Sequence, residues 1–111
     1  MKKVAVPTID GNLCTHFGHC QKFAVITIDN NQIIEEIMVI PPRHEPGVYP
    51  RWLKDQGVSE VITGGLGQKA KAIFDQNDIK VHIGVNSKPP REAVEELLEG
   101  QLSTGDNQCG H

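Results

Sequence analysis

Two cysteines and two histidines fall within seven consecutive residues, CTHFGHC at positions 14 to 20, in a chain with only three cysteines and five histidines. Thiolates and imidazoles hold zinc, copper and iron–sulfur species, because soft metals prefer sulfur and borderline ones accept nitrogen. Cys14, His16, His19 and Cys20 are therefore candidate ligands. The spacing is not that of a self-contained finger: five residues separate the cysteines, where a zinc knuckle or dithiol pair uses two. The plainer alternative is that Phe17 packs, Gly18 turns and the cysteines fill small spaces. The same chemistry returns at Cys109 and His111, in a segment STGDNQCGH whose only apolar side chain is its cysteine. Nothing obliges that segment to pack, so it reads as a flexible arm that closes over a metal, or as a loose end. CTHFGHC thus reads as half a site, to be completed from elsewhere.

A third motif, GGLGQKA, follows a strand-like run and opens a helix-like one. Gly64, Gly65 and Gly67 permit close backbone approach, and a helix amino end offers unpaired N–H groups to an anion. Gly65, Gly67 and Ala70 also match the spacing of dinucleotide binders, but Val85 and Asn86 stand where the ribose-holding acid belongs, so a nicotinamide cofactor is not indicated. The plainer reading is a tight strand-to-helix turn. Lys69 and Lys71 either assist an anion or are solvated. His44, in PRHEPG, is a ligand, an anion contact or a simple loop residue; His82, inside a strand run, reads as structural. A serine nucleophile elbow, a P-loop and an H-E-x-x-H are all missing. Two-metal nuclease chemistry fails too: Asp10 ends the first strand, but the strand before GGLG has no acid at its carboxyl end.

The elements that must position these groups follow from periodicity. Residues 3–8 form a β-branched run ended by Asp10-Gly11-Asn12, which puts CTHFGHC on a loop. Residues 23–28 and 33–40 flank a polar turn whose asparagines tolerate positive φ, a hairpin. A helix is expected over 50–56, proline at its start and Gly57 at its end, with Trp52 and Leu53 facing the core. Residues 58–63 and 80–85 read as strands around a helix over 68–76 striped by Ala70, Ile73 and Phe74. A last helix follows Ser87 and two prolines and runs to Gly100, with Ala93, Val94, Leu97 and Leu98 on one face. The order βββαβαβα implies an α/β protein with a mixed, five-stranded sheet covered by helices, and a right-handed parallel crossover between 58 and 85. If the first strand pairs in parallel with 58–63, the loops after both leave one sheet edge, and CTHFGHC faces GGLG.

With 111 residues, a single α/β domain is expected over residues 1–102, followed by a flexible tail over 103–111. Eleven basic against fourteen acidic side chains, with no basic cluster, argue against nucleic acid. No signal peptide and no membrane-length apolar run is evident, so the cytoplasm is the expected location. There the thiols stay reduced, which favours metal or cluster chemistry over a disulfide.

Taken together, these motifs resemble the dinitrogenase iron-molybdenum cofactor biosynthesis proteins, of the NifX and NifB C-terminal domain type. The resemblance rests on HFG-x-C-x-x-F (His16 to Phe23), H-x-x-G before a helix (His44 to Gly47), GV-x-x-VITGG-x-G-x-x-A (Gly57 to Ala70) and a terminal TG-x-N-x-C-x-H (Thr104 to His111). It implies a ribonuclease H-like fold with a five-stranded mixed sheet. It also implies non-catalytic binding or carriage of an iron–sulfur or molybdenum–iron cluster, with a cluster donor or acceptor protein as partner. His16 and Cys20 become the expected ligands, with Cys109 and His111 matching one subgroup's tail, and the three glycines cradle the cluster's anionic face. Cys14 stands where a serine is common and adds a sulfur; His19 stands where an arginine is common and removes a permanent positive charge. The competing reading is a regulatory or adaptor domain that binds a partner ATPase or scaffold, with at most a structural zinc. Homodimerisation is open on either reading.

Overall fold

A computed structural model describes residues 1–15, 20–41 and 48–102. Its elements are β1 (Lys2–Ile9), β2 (Asn12–Leu13), β3 (Lys22–Asp29), β4 (Gln32–Val39), α1 (Val48–Asp55), β5 (Glu60–Ile62), α2 (Gln68–Gln76), β6 (Lys80–His82) and α3 (Pro90–Leu98). They build a mixed, six-stranded sheet in the order β4-β3-β1-β5-β6, with β2 paired to β1 off that path. The count exceeds the expected five strands by β2, whose two residues are too short to show periodicity. The remaining elements fall where expected, within a few residues at their ends.

Both hairpins use turn chemistry written in the sequence. Asp10 and Gly11 have φ of 53° and 85°, and Asn30 and Asn31 have φ of 51° and 62°. Two consecutive positive φ values are the signature of the two-residue turn whose twist suits antiparallel strands. β1 pairs antiparallel with β3 from Lys2↔Ile28 to Thr8↔Lys22, and parallel with β5 through Val4↔Glu60 and Ala5↔Val61. β5 and β6 are also parallel, across the α2 crossover.

Alternation along the strands splits the core in two. Ala5, Phe23, Val25 and Val61 pack with Tyr49 and Leu53 of α1 and Phe74 of α2. Val4, Val6, Ala24, Ile26, Ile28 and Ile62 pack with Ala93 and Val94 of α3 on the other face. Because β1 and β3 are covered on both faces, they read as nearly continuous buried runs. Leu53 is buried as expected, and Trp52 packs at the margin of the first cluster. Among the described residues, no helix is long and apolar enough to cross a membrane.

Candidate functional site

β1 and β5 part company after Ala5 and Val61, and β2 folds into the gap beside the end of β1 through Thr8↔Leu13 and Ile9↔Asn12. The 14–20 loop is thereby pinned at both flanks. The Cys14 amide donates to the Pro7 carbonyl (2.7 Å), and the Gln21 amide donates to the Thr8 carbonyl (2.7 Å). Thr8, 1% exposed, donates its hydroxyl to the Lys22 carbonyl at 2.8 Å and locks that corner.

The glycine loop meets this loop directly. A Cβ on Gly64 would lie 2.8 Å from Thr15 Cα and 3.1 Å from the carbonyl oxygens of both Thr15 and Val85. Three backbone segments thus touch where only glycine leaves room. The contact is held by amides of Gly84 and Val85 donating to the carbonyls of Gly64 (3.0 Å) and Thr63 (3.3 Å). Thr63, fully buried, donates its hydroxyl to the Gly65 carbonyl at 3.3 Å, and Leu66 anchors the loop in the first core cluster. Gly67 is exposed, extended at φ −66° and ψ 151°, and precedes α2 with no side chain capping the helix. With no acidic residue in the first turn, the amino end of α2 keeps its positive dipole end uncompensated.

Of the expected ligands, Cys14 and Cys20 lie within the described residues and are close enough to interact electrostatically. Cys14 is buried at 3% exposure. Cys20 is half-buried against the cluster of Phe23, Tyr49 and Leu53. Burial first, and the neighbouring Cys14 second, push the Cys20 thiol up to about 12. A metal at this sulfur therefore displaces a tightly held proton. His16, His19, His44, Cys109 and His111 lie outside the described residues. Among the described residues, no group of three or more His, Cys, Asp or Glu side chains could hold a metal ion.

Two participants carried no signal in the sequence. Thr15 contributes backbone, which any residue has. Tyr49, at the start of α1, stands edge-on to Phe23 with ring centroids 5.5 Å apart, and burial together with nearby Cys20 raises its hydroxyl pKa. Lys71 lies 3.6 Å from Asp75 one turn along α2, a surface pair. His82 Nε2 donates to Glu60 Oε1 at 2.9 Å, within the sheet, which is a structural role.

The sequence pattern of the dinitrogenase iron-molybdenum cofactor family matches residues 1–100, and the chain belongs to that family. An uncharacterized protein of Methanocaldococcus jannaschii is similar at 33% identity over 107 residues, covering 92% of this chain and 90% of that one. The crystal structure of PH0822 superposes with a TM-score of 0.88 at 27% identity, covering 98% of this chain and 99% of that one. The apo form of the orange protein from Desulfovibrio gigas superposes with a TM-score of 0.75 at 26% identity, covering 96% and 95%.

Proposed function

We propose that the chain binds and carries a preassembled metal cluster of the iron–sulfur or molybdenum–iron type, as cargo and without catalysing a reaction on it. The observation that carries this reading is the contact of Gly64 with Thr15, which sets the residue after Cys14 against the glycine loop that leads into the uncapped end of α2. Such an edge pairs soft, charge-donating ligands with backbone donors, the combination an anionic thiolate-ligated cluster requires. Family membership supports the same cargo, and so does similarity to an orange protein that has an apo form.

In this reading His16 and Cys20 are the primary ligands, Cys14 and His19 contribute from the same loop, and Cys109 and His111 close the site from the tail. Gly64 and Gly65 shape the cradle by close backbone approach, and Gly67 leaves the α2 amino end open to the anion. His44, just before α1, is assigned to the cargo's outer face. Binding of the cargo takes the Cys20 proton to solvent. The cluster comes from a donor protein and passes to an acceptor, in the cytoplasm.

The test is oxygen-free reconstitution with iron and sulfide, and in parallel with thiomolybdate, read by elemental analysis and thiolate charge-transfer absorption. The parent chain is expected to colour, whereas Cys20→Ser and His16→Ala lose most of the absorption. Equal uptake by these variants refutes the ligand assignment. One zinc per chain with neither iron, molybdenum nor sulfide favours the adaptor reading instead.

A further inference from the structure

β4 is an edge strand eight residues long, and no strand pairs with its outer side among the described residues. Whereas β3 is buried along almost its whole length, β4 is exposed on both faces from Ile34 to Met38, with only Ile33 and Val39 half-buried against the core. β4 and the residue after it expose Ile34 (55%), Ile37 (45%), Met38 (45%) and Ile40 (75%). Soluble proteins usually guard such an edge with lysine, proline or a bulge. Here a register shift opposite Thr27/Ile28 disturbs only the Ile34 end, and residues 35–40 contain neither lysine nor proline.

We infer that this edge pairs with β4 of a second copy of the chain, antiparallel about a two-fold axis at Ile37. An antiparallel pair related by a two-fold sets each residue opposite one on the same face, so the axis must pass through a residue pair of identical number. An axis at Glu35 or Glu36 would place like carboxylates directly opposite one another, which is destabilising. An axis at Met38 would bring Pro41, which has no N–H, into the ladder. The axis at Ile37 avoids the first and moves Pro41 out to face Ile33, beyond the irregularity at Ile34 where the ladder ends. It sets Ile37 against itself, Glu36 against Met38, Glu35 against Val39 and Ile34 against Ile40 of the second copy.

Charge fits the same register. Glu36 and its counterpart become diagonal neighbours on the α3 face, and on that face Arg91 lies 3.9 Å from Glu36 and is half exposed. Two arginines then stand beside two glutamates across the axis. The product is one continuous sheet from two six-stranded ones. Because β4 runs parallel to β1, antiparallel pairing puts the two Gly64 edges at opposite ends of the joined sheet. Each copy therefore holds its own site, and this interface does not let two chains share one ligand.

Sedimentation of the metal-free chain from about 1 µM to about 1 mM tests the inference; a strand-edge interface sits at the small end of stable contacts, so a micromolar dimer is expected. Ile37→Lys should raise the dimer Kd at least about 100-fold, since two isoleucines lose their burial. Arg91→Glu should weaken it about 10-fold, and adding Glu36→Arg should restore it to within about 3-fold of the parent. Circular dichroism of each variant guards against simple unfolding. A chain that stays monomeric at about 1 mM overturns the inference, as does a dimer insensitive to Ile37→Lys. It also falls if the chain is monomeric and β4 instead binds a synthetic alternating lysine–valine hexapeptide in an Ile37-dependent way.

Discussion

Replacing Gly64 by alanine strikes the point where the cysteine loop and the glycine loop meet. The new methyl carbon would sit 2.8 Å from Thr15 Cα and 3.1 Å from two carbonyl oxygens, all backbone atoms that cannot swing aside like a side-chain tip. To reach ordinary contact near ~3.5 Å, one loop must retreat by roughly 0.7 Å, and overpacking of this kind costs about 1–3 kcal/mol. For a chain of this size each kcal/mol lowers Tm by about 4 °C, so a drop of about 4–12 °C is expected in a thermal melt followed by circular dichroism. Gly67→Ala is the control. That position is extended, φ −66°, with nothing within 4 Å of an added Cβ. Its cost is confined to a poorer helix cap, below about 1 kcal/mol. Retreat of either loop also disturbs the proposed cradle, so cluster uptake per folded molecule should fall in Gly64→Ala. If the two variants melt together, the close approach of the loops is refuted. If Gly64→Ala melts low but takes up cluster normally, the loop contact is structural and the proposed cradle is wrong.

Three further outcomes follow from particular residues. Gly11→Ala meets no atom within 4 Å, yet φ is 85°, so its loss of about 1 kcal/mol comes from backbone strain alone and should appear in urea unfolding as a lower midpoint with an unchanged slope. The Cys20 thiol, raised from 9.0 to about 12, should alkylate with iodoacetamide two to three orders of magnitude more slowly in the folded metal-free chain than in urea at the same pH; equal rates would contradict its burial. Because the raised value means that the folded state holds this proton more tightly, its contribution to stability is complete below about pH 9 and is lost as pH climbs toward 12. For Glu60, burial alone would raise the carboxyl, but hydrogen bonds from Lys2 and His82 outweigh it and hold the group below its usual value. A depressed carboxylate stabilises above its unfolded pKa and loses that contribution as pH falls through the folded one. Glu60→Gln should therefore cost about 1 kcal/mol at pH 7, a cost that shrinks as acidification protonates the folded-state carboxylate, read from urea midpoints along a falling pH series.

Much of the fold was legible because local physics and tertiary packing agree. The Asn30-Asn31 turn required positive φ that asparagine tolerates, Pro50 in the first turn of α1 and Gly57 just beyond its end mark a helix without reference to the rest of the chain, and of the expected stripe on α2 Phe74 is fully buried while Ala70 and Ile73 are half-buried. β2 was not legible, because two residues carry no period and pair only after Asp10-Gly11 reverses the chain beside β1.

The candidate site divides in the same way. Residue type alone selected Cys14, Cys20 and the glycines, since sulfur ligands and absent side chains are written in the sequence as such. The sequence could say that GGLG opens a helix, and that the first strand and 58–63 would bring two loops to one edge if they paired. Whether they did was a question of long-range pairing, decided by Val4↔Glu60 and Ala5↔Val61. The same holds for the partner of Gly64: a missing Cβ shows only that something comes close, and the fold makes that something Thr15 and Val85. Burial, too, is collective. Cys14 and Cys20 look alike as letters, yet one is buried and the other half-buried against the cluster of Tyr49 and Phe23, because each depends on which strands and helices close around it.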